Sequence, residues 1–166
     1  MLNKENVKDI YTLSPMQKGM FFHSLKERTT AYFEQMDFTI IGQLKISHLE
    51  ASFNDVLKKY DVLRTVFLHK GLNQPMQVVL KEREAEVHYR DISHLSGVET
   101  SSYVEKFKQE DRERGFDLSK DLLIRLSVLQ EGADTYHLIW SFHHILFDGW
   151  CLGFIVNDFF QSYSRH

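Results

Sequence analysis

The period of the apolar pattern changes once near the carboxy-terminal end, and that change dictates a strand-to-helix junction. Ile124, Leu126 and Val128 alternate with Arg125 and Ser127. After the turn-forming run Glu131-Gly132-Ala133-Asp134, residues Tyr136, Leu138, Trp140 and Phe142 alternate with His137 and Ser141. Successive strand side chains point to opposite faces, so a period of two marks half-buried strands, and two of them around a short turn mark a β-hairpin. Past Asp148-Gly149, residues Leu152, Ile155, Val156, Phe159 and Tyr163 recur at helical spacing, which puts them in one stripe on a helix. The segment His143-His144-Ile145-Leu146-Phe147-Asp148-Gly149 lies between the two patterns. A rigid strand gives way to a helix there, and such a junction aims side chains into a cleft.

The rest of the chain divides in the same way. Residues 1–9 are polar and read as a loose lead-in. Ser14-Pro15-Met16-Gln17 starts a helix expected to reach about Lys26, with Ser14 capping, Pro15 in the first turn and Gln17 completing a capping box. Met36, Phe38 and Ile40 alternate with Asp37 and Thr39 as a strand that Gly42 closes. A second capping-box pattern, Ser47 to Glu50, precedes the helical stripe Leu49, Phe53, Val56, Leu57 and Tyr60. Arg64 to Leu68 and Met76 to Leu80 read as short strands around a turn at Lys70 to Gln74, with a further strand near Val87 to Tyr89. Glu99 to Arg114 reads as a helix that stops near Gly115. Because the chain ends directly after its last helical pattern without a stop signal, a piece of a longer protein is expected.

Composition narrows the function classes. Of 166 residues, 43% are apolar and 26% charged, with two Pro, so a packed core is expected rather than a disordered or Pro-rich tract. Thirteen Phe point to an aromatic core. A net charge of −3 offers nothing to recruit nucleic acid or an anionic membrane. Met1 to Tyr11 has no apolar signal core, and no apolar run reaches membrane-spanning length. Cys151 is the one cysteine, so no intrachain disulfide forms, and a cytoplasmic location is expected.

The His-His-x-x-x-Asp-Gly segment carries the candidate chemistry. Neighbouring strand residues face opposite ways, so His143 and His144 do different jobs, and they do not easily share a metal ion. No Cys/His spacing supports zinc, no Gly-x-Ser-x-Gly elbow presents a nucleophilic serine, and no Gly-rich loop cradles a phosphate. Gly149 permits a tight turn or a close backbone approach. Arg64 is the second point of interest, because a charge inside an apolar run is costly unless paired. It is either an outward-facing residue or a buried partner for a carboxylate, with Asp148 as the candidate.

Several segments, in order, resemble the core motifs of nonribosomal peptide synthetase condensation domains. Leu13-Ser14-Pro15-Met16-Gln17-Lys18-Gly19-Met20 resembles the first, Lys59-Tyr60-Asp61-Val62-Leu63-Arg64-Thr65-Val66-Phe67 the second, and Phe142 to Trp150 the third. Phe116-Asp117-Leu118 followed by Leu123-Ile124-Arg125 is similar to a further recurrent stretch. Lys59, Tyr60 and Asp61 depart from the usual Arg-His-Glu, Leu122 from a frequent Pro, and Cys151 from a frequent Ser. These departures leave the His-His frame intact.

The resemblance implies an α/β (α+β) fold, a chloramphenicol acetyltransferase-like lobe with a mixed sheet flanked by helices. It implies that residues 1–166 are the amino-terminal lobe of a condensation domain, with the carboxy-terminal lobe lying outside this sequence. The implied reaction is amide formation between donor and acceptor thioesters, as in antibiotic biosynthesis. The phosphopantetheine arms belong to partner peptidyl carrier proteins, and no cofactor or metal is bound directly. The missing lobe and neighbouring synthetase domains are the other implied partners, and the isolated lobe is expected to be inactive. By resemblance His144 is central, as general base, as orienting group or as stabiliser of the tetrahedral intermediate. His143, Asp148, Gly149 and Arg64 are then supporting residues. An L-configured donor is favoured over an epimerising relative by Met16 to Met20 with Cys151. The rivals are an acyl-CoA-dependent acyltransferase of the same superfold and a non-catalytic carrier-binding fragment.

Overall fold

The computed structural model describes residues 4–26 and 30–166, and the hairpin read from the period-two pattern is its centre. Strands β6 (Ile124–Gln130) and β7 (Thr135–His143) pair antiparallel. β2 (Phe33–Ile41) pairs antiparallel with β7, with Phe33 opposite His143. β5 (His88–Asp91) joins β6 in parallel, which gives the order β2-β7-β6-β5 and makes the sheet mixed. A second, antiparallel sheet has the order β1-β4-β3, from Val7–Thr12, Met76–Leu80 and Thr65–Leu68.

Both faces of the larger sheet are covered. On one, Leu126, Val128, Leu138 and Trp140 share a core with Leu49, Phe53, Val56 and Leu57 of α2 (Ile46–Lys59) and with Ile155 and Phe159 of α4 (Gly149–Tyr163). Trp140 is fully buried, with the Phe53 and Phe159 rings edge-on at 5.9 and 5.0 Å. On the other face, Leu129 and Ile139 pack with Ile92 and with Val104 of α3 (Gly97–Arg114). This helix-sheet-helix layering buries the alternating apolar sets on both sides of the strands.

The helix ends show where local signals held. At α1 (Pro15–Lys26), the Ser14 N–H donates to Gln17 Oε1 at 3.0 Å and the Gln17 N–H to Ser14 Oγ at 3.2 Å, the expected capping box. α3 ends at Gly115, whose φ of +59° is open to glycine without steric cost.

Four expectations need correction. Residues 1–3 lie outside the described residues, but 4–9 are not a loose lead-in. A 3-10 turn at Lys4–Asn6 leads into β1, whose order comes from pairing with β4 (Ile10 opposite Val78). Most β1 side chains are exposed, so no alternation marks it. Ser47 and Glu50 form no capping box, because α2 starts one residue earlier, at Ile46, and Glu50 instead accepts the distant Val87 N–H at 2.9 Å. A capping box does form at Ser96-Glu99, where the Ser96 N–H and Oγ donate to the Glu99 carboxylate at 3.2 and 2.8 Å and start α3 at Gly97, two residues before the expected helix. Finally, Arg64 ends a 3-10 helix, Asp61–Arg64, rather than opening β3. Among the described residues, no helix is long and apolar enough to cross a membrane.

Candidate active site

β7 ends between the two histidines, and their surroundings differ. His143 is its last residue, buried on the α3 face between the Tyr32 ring at 5.9 Å and the Phe116 ring at 6.5 Å. Its Nδ1 accepts the Ile145 N–H at 3.1 Å, which leaves the ring proton on Nε2. Burial, and then the neighbouring His144, push the His143 pKa down from 6.5 to about 4. A neutral, hydrogen-bonded ring of this kind holds the turn.

His144 is the first residue past the strand and is half-buried. Its N–H donates to Tyr32 O at 2.8 Å. Among the described residues no group hydrogen-bonds its imidazole, so both ring nitrogens are available to a reactant. The His143 N–H donates to Leu123 O and the Leu146 N–H to His143 O, at 2.9 and 3.1 Å. Every backbone N–H from His143 to Leu146 therefore has an acceptor.

Asp148 follows the turn as the N-cap of α4, exposed, with Oδ1 accepting the Trp150 and Cys151 N–H groups at 3.1 Å each. The Cys151 amide foremost, then the Cys151 side chain, the Trp150 amide and the nearby His144, hold its carboxyl below the usual 3.8 against the opposing effect of burial. Gly149 is the first residue of α4 and has no positive φ, and a Cβ there would meet open space. Neither a tight turn nor a close approach within the described chain requires it.

Arg64 is buried and paired with a carboxylate, but the partner is Asp61, not Asp148. Arg64 Nη2 reaches Asp61 Oδ1 at 2.5 Å, Nη1 donates to Leu57 O and to Lys58 O (2.7 Å for the latter), and Nε to Leu80 O at 3.1 Å. The guanidinium thus closes the last carbonyls of α2, where a cation also favours the helix dipole, and ties them to the end of β4. Asp148 spends its acceptors on α4 instead. Two departures in the second motif have partners of their own, since Lys59 and Tyr60 both donate to Asp158 of α4, Lys59 at 2.5 Å.

Sequence reasoning missed two features. Gln17, in the first motif, donates from Nε2 to Ile145 O at 3.3 Å and so joins the first motif to the third. Asp111 on α3 is buried and gathers Arg125 Nη2 (2.7 Å), Ser141 Oγ (2.6 Å) and Gln35 Nε2 (3.2 Å). The Arg125 guanidinium lies over the Phe116 ring, 4.0 Å from its centroid. The one advance signal was the Phe116 to Arg125 stretch, which gave no hint of an aspartate earlier in the chain. A cleft opens on the His143 side, walled by Phe21, Phe33, Phe67, Phe116 and His143; His144 is not in its lining. No group of His, Cys, Asp and Glu among the described residues is arranged to hold a metal ion.

Comparison with known proteins places this geometry among relatives. Residues 7–166 match the family described as Condensation domain. The chain is 46% identical over 161 residues to gramicidin S synthase 2 of Brevibacillus brevis, covering 96% of this chain and 4% of that protein. It is 41% identical over 163 residues to surfactin synthase subunit 3 of Bacillus subtilis, covering 98% of this chain and 13% of that one. Among solved structures, the starter condensation domain of rhizomide synthetase superposes with a TM-score of 0.83 at 18% identity, over 95% of this chain and 39% of that one. A four-domain nonribosomal peptide synthetase bound to AMP and glycine does so at 0.81 and 19%, over 95% and 12%. The chain thus spans a small part of the synthetases it matches and about two fifths of the starter domain.

Proposed function

The chain belongs to the condensation-domain family, and from that premise we propose that it is the amino-terminal lobe of a domain that joins a donor acyl or peptidyl thioester to an acceptor aminoacyl thioester. The observation that carries this reading is the His144 imidazole, without a hydrogen-bond partner among the described residues and presented on a turn whose N–H groups from His143 to Leu146 all have acceptors. The acceptor amine attacks the donor carbonyl carbon, forming the C–N bond. The tetrahedral intermediate then collapses, breaks the C–S bond and releases the donor thiol. One amine proton leaves through a His144 ring nitrogen, which accepts it and returns it to the departing sulfur. The same contact orients the amine lone pair. Thioester and amine thereby become amide and thiol, with no cofactor consumed.

The supporting residues divide by what they hold. His143 sets the turn from inside, Asp148 fixes the start of α4, and Arg64 holds α2 to the smaller sheet. Gly149 leaves open space at the head of α4, where a substrate has room to approach. The exposed Trp150 and Phe154 of α4 give the carboxy-terminal lobe an apolar surface to cover. Both substrates arrive on phosphopantetheine arms of peptidyl carrier domains, within a cytoplasmic synthetase.

The test is amide formation between loaded donor and acceptor carrier proteins, run with this chain alone and with the complete condensation domain. Turnover by the complete domain only, lost on His144→Ala, supports the reading. A folded complete domain that is inactive, or active without His144, removes it and favours transfer from acyl-CoA or carrier binding without turnover.

A further inference from the structure

Gln17 and Gln77 form a relay whose hydrogen bonds end on the histidine turn. Gln17 Nε2 has two hydrogens, and they reach Ile145 O and Gln77 Oε1, each at 3.3 Å. Gln77 Nε2 donates to Thr12 O at 3.1 Å and back to Gln17 Oε1 at 3.4 Å. Gln17 Oε1 also accepts the Ser14 N–H at 3.0 Å as part of the α1 capping box. The relay therefore spans α1, β1, β4 and the loop after His144. Each amide hydrogen is used, which is the condition for such a network to define one geometry.

Its position relative to His144 gives it a role. The Cα of His144 is set by the peptides on either side. Upstream, the His144 N–H is tied to Tyr32 O at 2.8 Å, a bond to another part of the fold. Downstream, the Ile145 N–H binds His143 Nδ1 and the Leu146 N–H binds His143 O, bonds inside the turn that move with it. The side chains of Ile145, Leu146 and Phe147 sit in the main core, and at the Ile145 carbonyl the Gln17 bond, from 128 residues away, adds a directional polar tie between the downstream half and the rest of the molecule.

We propose that Gln17, braced by Gln77, is a positioning residue that fixes the aim of the His144 imidazole at the reacting centre. The catalytic part of the proposal rests on the reading of His144 given above. The structural part, that the relay sets the His144 geometry, stands without it.

Gln17→Glu separates positioning from helix capping. Glutamate serves the capping box as well as glutamine does, so the Ser14 contact survives. The donor to Ile145 O is lost, and a carboxylate faces a carbonyl instead. In the complete domain this variant should lower kcat by about tenfold to a hundredfold, the scale set by a misplaced reacting group. KM for both carrier substrates and the melting temperature should stay near the parent's. The ¹³Cε1 signal of His144, identified by its loss in His144→Ala, should shift or broaden. Gln77→Leu should move kcat and that signal in the same direction by less.

Parent kcat together with an unshifted His144 signal in folded Gln17→Glu would overturn the proposal. So would a rise in KM at constant kcat, which would make Gln17 a substrate contact. If Gln17→Glu melts early, Gln77→Leu carries the test, since it removes the brace and leaves the capping box in place. If His144→Ala retains turnover, the catalytic reading fails by itself. The NMR signal then still decides the relay, with a shift in Gln17→Glu upholding it and an unchanged line rejecting it.

Discussion

Arg64, Asp111 and Arg125 are charged groups withdrawn into the protein and held by several partners, whereas at the turn after β7 His144 is only half-buried and Asp148 is exposed. The first set holds elements together. Arg64 closes the end of α2 against β4, and Asp111 with Arg125 binds α3 to β6 and β7. The second set is held mainly through backbone, with the His144 ring free of hydrogen bonds among the described residues and Asp148 accepting the first amides of its own helix. Burial of a charge demands full compensation, so those sites cannot also meet a substrate. A residue that must change partners during a reaction has to be kept out of such a knot. The separation implies that stability and turnover can be broken independently.

The largest effect should be on turnover. His144→Ala in the complete domain should reduce kcat by about 10²- to 10⁴-fold, the usual range for a positioned proton-transfer group, while the melting curve stays close to the parent's. Loss of the cooperative transition in this variant would erase the contrast, because His144 would then be part of the structural set.

Arg64→Ala and Asp111→Ala should show the reverse. Each strips a buried, multiply bonded ionic group and should cost about 3–5 kcal/mol in urea unfolding of this chain. Arg64→Ala leaves the carbonyls of Leu57, Lys58 and Leu80 without their donor. Asp111→Ala leaves Arg125 buried without a carboxylate, and Ser141 and Gln35 without their acceptor. Asp61→Ala should cost less than Arg64→Ala, because the Asp61 side chain is 45% exposed while that of Arg64 is 5% exposed. Equal losses would mean that the ion pair, rather than the carbonyl contacts, dominates.

His143 lies between the two sets and makes a pH prediction. Its folded pKa is about 4 against an ordinary value of 6.5. Between those values the unfolded chain binds a proton that the folded chain refuses. Stability should therefore fall as pH drops from about 6.5 toward 4 and level off below, by on the order of 3 kcal/mol over the whole window. His143→Asn keeps an oxygen able to accept the Ile145 N–H but does not titrate. Unfolding free energies between pH 6.5 and 5, above the main carboxylate range, should lose most of their slope in this variant. An unchanged slope would assign the titration elsewhere.

What the sequence revealed follows from the range of each interaction. The hairpin, the α4 stripe and the Ser14-Gln17 cap are set by neighbours, and each was legible in spacing. Strand parity called for different jobs at His143 and His144, while the choice of His144 as the reactive one came from the family resemblance. β1 was invisible because its order comes from β4, about 70 residues later, and its side chains are mostly exposed on both faces, Ile10 and Tyr11 included, so no alternation marks it. The partner of Arg64 was misjudged for the opposite reason. The cost of a charge inside an apolar run called for a carboxylate, with the distant Asp148 as the candidate, while the 3-10 turn places Asp61 one turn away. Asp111 and the Gln17-Ile145 bond needed the packed fold, since nothing in a helix full of charges marks the one aspartate that turns inward.

The smallest effect, and the sharpest test of the corrected pairing, concerns Asp148. As an exposed N-cap it accepts two amides at the head of α4, so Asp148→Ala should fray that turn and lower stability less than Arg64→Ala or Asp111→Ala. Asp148→Asn, which keeps a capping oxygen, should restore most of the loss. The decisive measurement is a pair of double-mutant cycles. Arg64→Ala combined with Asp61→Ala should be non-additive, because the two side chains touch at 2.5 Å. Arg64→Ala combined with Asp148→Ala should be additive, because the groups share no contact and cap different helices. Coupling in the second cycle would show that Arg64 and Asp148 meet after all, and would draw Asp148 out of the open turn and into the set of residues that hold the fold.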